Sequence, residues 1–98
     1  MINSLLELVE RPAFCVYGGK IRQVNQAARQ KLIAVGMNIH ELLGDAGDLY
    51  SSYQGGTQAF SATISGIPYR IQLSRVEDTD IFVLESEDPQ MRAIALAA

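Results

Sequence analysis

The sequence predicts an α+β domain: a five-stranded antiparallel sheet in the order 2-1-5-4-3, short helices on one face, and a flanking helix at each end. Three observations lead there. Two short runs, Ala13-Phe14-Cys15-Val16-Tyr17 and Ile81-Phe82-Val83-Leu84, are apolar without alternation, the mark of strands covered on both faces. Turn signals at Gly18-Gly19, Ser65-Gly66 and Glu77-Asp78-Thr79-Asp80 join neighbouring strands into hairpins. Between the second and third strands lies a stretch of helix formers. The covered strands belong at the centre, side by side, and the hairpins then place the other three.

Residues 1–11 read as an amphipathic helix. Ile2, Leu5, Leu6 and Val9 fall at i, i+3, i+4 and i+7, one apolar stripe. Pro12 stops it by removing a backbone donor and restricting its predecessor. The first strand, 13–17, turns at Gly18-Gly19 into Ile21-Arg22-Gln23-Val24. Asn25 suits a helix N-cap. A helix is expected over 26–35, with Ala28, Leu32 and Val35 on one face and Gly36 as its stop. Ile39-His40-Glu41-Leu42-Leu43 makes one or two helical turns, and Asp48 caps a second short helix through Leu49, Tyr50 and Tyr53.

The remainder is β-rich. Phe60, Ala62 and Ile64 alternate with Ser61 and Thr63, and Ile67, Tyr69, Ile71 and Leu73 alternate with Pro68, Arg70, Gln72 and Ser74, the pattern of half-buried strands. Asp88-Pro89 opens a last helix, aspartate at the cap and proline at the first helical position, with Met91, Ile94, Ala95 and Ala98 as its stripe. The chain stops inside that helix, so a longer protein with an output domain beyond Ala98 is expected. The divisions are residues 1–11, a body of 12–86, and an exit helix of 87–98.

Composition narrows the function. The 98 residues are 48% hydrophobic and 19% charged with net charge −3, which suits one globular domain and not a disordered chain. No apolar run approaches the length of a membrane span, and no basic start precedes an apolar core, so neither membrane insertion nor a signal peptide is expected. A cytoplasmic location follows. The single Cys15 excludes an internal disulfide, and the mild acidity argues against a nucleic-acid surface. All six acids of the second half (Glu77, Asp78, Asp80, Glu85, Glu87, Asp88) lie between 77 and 88 and read as solvated loops at strand ends.

The order of these pieces resembles the PAS family of sensory modules found in histidine kinases and other signalling proteins. The resemblance runs from Leu5 to Ser86. It is carried by Pro12-Ala13-Phe14-Cys15-Val16, by Gly19-Lys20-Ile21 with Val24-Asn25-Gln26-Ala27-Ala28, by Ile39-His40-Glu41-Leu42-Leu43, and by Gly66-Ile67-Pro68-Tyr69-Arg70-Ile71. It implies a domain of a sensor histidine kinase that binds a small ligand or partner, forms a homodimer, and passes a change of packing to an output domain. Ile2, Leu5, Leu6 and Val9 become the expected dimer interface, and Met91 and Ile94 the signal-exit helix. His40, Leu43, Tyr50, Tyr53, Phe60, Ile71, Leu73 and Phe82 are the expected pocket lining. The stretch 36–56 is shorter than the family's, which leaves no room for a large cofactor, and none is expected.

The chemistry-bearing residues point the same way. His40 lies ahead of where the family's haem ligand would fall. His40-Glu41-Leu42 echoes a phospho-acceptor box but continues Leu43-Gly44-Asp45 without its proline. Cys15, inside an apolar run, reads as a small buried hydrophobe. No catalysis and no metal site are expected. The other readings are a ligand-free dimerisation module of a transcription regulator and a small α+β enzyme using His40 with a carboxylate.

Overall fold

The first hairpin sets the frame. β1 (Ala13–Tyr17) and β2 (Lys20–Val24) turn through Gly18 and Gly19, both at positive φ (62° and 79°), the backbone region that glycine enters without penalty. The computed structural model describes residues 6–86. The expected helix from Asp88, with Met91 and Ile94, lies outside the described residues, as do Ile2 and Leu5. After β2 come α1 (Gln26–Gln30), α2 (Ile39–Leu43), a 3₁₀ turn (Gly44–Ala46) and α3 (Gly47–Ser51). The chain then runs through β3 (Thr57–Ile64), β4 (Ile67–Val76) and β5 (Thr79–Ser86).

The five strands form one antiparallel sheet in the order β2-β1-β5-β4-β3, as the apolar runs and hairpins predict. β1 crosses to β5 with Phe14 opposite Phe82. On one face Phe14, Val16, Phe60, Ala62, Ile64, Tyr69, Ile71, Leu73, Phe82 and Leu84 join Ile39 and Leu43 in a single buried core. Each large side chain taken fully from water contributes about 1.5–3 kcal/mol before chain entropy is charged against it. On the opposite face Ala13 and Cys15 are covered by Leu6, with Val9, Ile81 and Val83 alongside. The central strands are therefore apolar on both sides because two separate layers cover them.

Two local expectations need correction, and β2 carries an irregularity besides. β2 puts both Ile21 and Val24 into the core, which strict alternation forbids; a bulge across from Cys15 and Val16 takes up the extra residue and restores the inward direction. The helix predicted over 26–35 ends at Gln30. Leu32 takes a left-handed conformation (φ 65°), and the Ile33 N–H reaches back to the Ala28 carbonyl at 3.1 Å, a C-terminal closure that glycine ordinarily makes. Leu32 and Val35 consequently stand in solvent while Ile33 is buried. Asp48 is not a cap: Ala46 holds that position in α3, and Asp48 lies in the first turn, where its charge suits the helix dipole.

The segment after α1 has a second task. Gly36 N–H donates to the Ile21 carbonyl at 2.8 Å, Ile21 N–H to the Met37 carbonyl at 2.9 Å, and Ile39 N–H to the Gly19 carbonyl at 3.0 Å. The outer edge of β2 is thus closed at its beginning, up to Ile21, by the protein's own backbone.

Candidate functional site

Of the eight expected pocket residues, six (Leu43, Tyr53, Phe60, Ile71, Leu73 and Phe82) meet in the buried core, and Tyr50 packs against it. They meet one another instead of a void. Phe82 stacks on Phe14 with ring centroids 5.0 Å apart and planes at 11°, and Tyr50 tilts onto Phe82 at 5.3 Å. Tyr50 continues the series to Tyr53 at 6.5 Å. Close-packed aromatic rings of this kind stabilise a core and leave little for a ligand to displace. The eighth residue, His40, stands exposed on α2, its ring tilted against Tyr50 at 5.6 Å. No cluster of three His, Cys, Asp or Glu residues suited to a metal ion occurs among the described residues.

At the edge of this aromatic layer sits a polar arrangement that the sequence reading missed. Asp80 is only 4% exposed, not part of a solvated loop. It lies directly opposite Arg75 across the β4–β5 hairpin and shares the inward parity of Phe82 and Leu84. Arg75 donates to both carboxylate oxygens, from Nε at 2.6 Å and Nη2 at 3.2 Å, and the Tyr50 hydroxyl donates to Oδ2 at 2.5 Å. The Arg75 guanidinium also lies 4.9 Å from the centre of the Tyr53 ring, whose hydroxyl donates to the Gly56 carbonyl. Burial, the hydrogen bond to Asp80 and the charge of Asp80 together hold the Tyr50 phenol well above the usual tyrosine range, with Arg75 partly opposing. The hydrogen bond to Asp80 raises the Arg75 pKa further still. One carboxylate therefore ties α3 to the far hairpin of the sheet. The signal for it was present: Asp80, Phe82 and Leu84 alternate, but the unbroken apolar run 81–84 conceals the pattern.

A second polar centre anchors the N-terminal segment. Asn25 caps α1, as expected, its Oδ1 accepting from Ala28 N–H at 2.9 Å. The same oxygen accepts from Ala13 N–H at 3.0 Å, while the two Nδ2 hydrogens are shared among the carbonyls of Leu6, Val9 and Arg11 at 3.3, 3.0 and 2.8 Å. Glu7 adds a carboxylate bond to Gln26 N–H at 2.8 Å and a 3.3 Å ion pair with Arg29. Leu6 and Val9, two of the four expected interface residues, are thereby held on their own sheet. Cys15 lies beneath them, and burial pushes its thiol pKa up, which suits a structural cysteine.

A groove of about 590 Å³ lies elsewhere, lined by Leu43, Asp45 and Leu49 on one side and by Ala62 and Thr63 of β3 with Pro68 of β4 on the other. Of the expected pocket residues it takes in Leu43 alone. No helix among the described residues is long and apolar enough to cross a membrane. No protein-family model matches the chain, and no curated protein matches it.

Proposed function

We propose that this chain is a signal-relaying, self-associating domain of the PAS type, set in a longer signalling protein such as a sensor histidine kinase. The observation that carries the reading is the strand order 2-1-5-4-3, with all the helices of the β2–β3 connection between the two hairpin units. Two further features support the reading: Val24-Asn25 stands at the close of the first hairpin, and Ile39–Leu43 forms a helix of the β2–β3 connection. The domain acts by bias between two packings of helices on sheet, with no chemical step of its own. The Tyr50–Asp80–Arg75 clamp is the contact whose making and breaking separates them.

Between a ligand-binding domain and a ligand-free one, the packing favours the second. Phe14, Phe82 and Tyr50 fill the space a small molecule would take. Native mass spectrometry of the purified protein tests both parts. The reading expects two copies with no added organic mass. A strictly monomeric species refutes self-association, and a small molecule retained stoichiometrically refutes the ligand-free form.

A further inference from the structure

The charges of the chain are segregated. Arg11, Lys20, Arg22, Arg29 and Lys31 all fall between residues 11 and 40, where the sequence holds no Asp or Glu. Glu7 offsets Arg29, and the Arg22 Nε donates to the Tyr17 carbonyl at 3.2 Å. Lys20 and Lys31 have no side-chain partner among the described residues. Backbone bonds bring their two stretches side by side. Ile21 N–H donates to the Met37 carbonyl, Gly36 N–H to the Ile21 carbonyl, and Lys20 pairs with Asn38.

The same segment leaves apolar side chains in water. Leu32 is 80% exposed and Val35 59%. Side chains this open stand proud of the surface instead of lining a groove. Leu32 also sits at φ 65°, a region that costs any residue with a β-carbon and where a helix such as α1 ordinarily closes on glycine. An exposed leucine held at that cost adds nothing to the chain's own core. Its use lies in what it meets outside.

We propose that residues 31–37, with Lys20 of the neighbouring strand, dock on an anionic lipid surface, Leu32 and Val35 entering the headgroup layer and the two lysines meeting its phosphates. The contact is peripheral and needs no spanning segment. Protruding apolar tips flanked by amines suit a soft interface, whereas a folded protein partner would need a matching hollow. A second copy across a two-fold axis would bring the uncompensated lysines toward their own copies, a like-charge contact. The rest of the chain is net acidic, so this stretch is the part that an anionic layer attracts.

Co-sedimentation of the whole chain with phosphatidylglycerol–phosphatidylcholine vesicles at low salt tests the proposal, with pure phosphatidylcholine vesicles as the neutral comparison. The wild type is expected to pellet with the anionic vesicles alone and to be released as salt is raised. Lys20→Gln together with Lys31→Gln weakens the partition by about twenty-five-fold, at roughly fivefold for each amine. Leu32→Gly, a change the backbone favours, weakens it several-fold while circular dichroism shows the fold unchanged. Wild type left in the supernatant with anionic vesicles overturns the proposal. If that protein binds soluble polyglutamate through the same lysines, the surface belongs to an acidic protein partner instead. Vesicle binding that the lysine and Leu32 variants retain, in folded protein, overturns the assignment to this segment.

Discussion

Replacing Asn25 by alanine removes five hydrogen-bond contacts at once, and their sites fix the expected loss. Three involve fully buried partners: the N–H groups of Ala13 and Ala28, and the carbonyl of Leu6. The carbonyls of Val9 and Arg11 are partly exposed, so water takes over there. An orphaned buried polar group costs about 1–3 kcal/mol, and relaxation trims the sum, giving about 3–5 kcal/mol for Asn25→Ala. That is a third or more of the stability of a typical small domain, and lowers Tm by about 15–30 °C. Urea unfolding followed by circular dichroism measures it. Asn25→Asp sharpens the test by keeping the acceptor and losing the donated bonds. Its carboxylate then faces three carbonyl oxygens, so the fold favours the protonated form and raises the group's folded pKa. A raised folded pKa means stability present at low pH and lost as pH climbs past about 4, the unfolded value. Loss of less than about 1 kcal/mol in Asn25→Ala, or a flat pH profile in Asn25→Asp, would refute the role of Asn25 as the tie between N-terminal segment, β1 and α1.

Further outcomes follow from other contacts. The Tyr50 phenol holds its proton more tightly in the fold than in the unfolded chain, so its contribution is complete below about pH 10 and declines as pH rises beyond. Tyr50→Phe, losing a bond to a buried carboxylate, is expected to be about 1–2 kcal/mol less stable at pH 7, with the gap to wild type narrowing above pH 10 in parallel melts. A gap that widens there contradicts the clamp. Leu32→Gly relieves a left-handed backbone at an 80% exposed side chain and is expected to raise stability by about 0.5–1 kcal/mol, read from the urea midpoint; a loss of stability would show that Leu32 makes a contact that matters. Cys15 should stay unreactive toward a thiol reagent until denaturant is added, and fast labelling of native protein would deny its burial beneath Leu6.

The strand order was legible because β1 and β5 are apolar on both faces and the hairpin turns are short, two constraints that leave one arrangement. The cap at Asn25 was legible for the same local reason. Its donated bonds were not, since the accepting carbonyls lie 14 to 19 residues earlier and meet it only when the N-terminal segment folds onto the sheet. Asp80 went unread because an acidic residue beside a turn looks solvated until the register sets Arg75 opposite it. The early end of α1 depends on Leu32 accepting a conformation that its residue type disfavours, a tertiary effect with no local cue. The expected pocket residues do gather in one place, yet apolar side chains that line a cavity and those that fill a core share the same pattern. Only the ring distances tell the two apart.

Self-association is the central proposal, and sedimentation velocity of the whole chain over a wide range of concentrations tests it most directly. The expected result is a dimer whose share rises with concentration. A monomer at every concentration would contradict it.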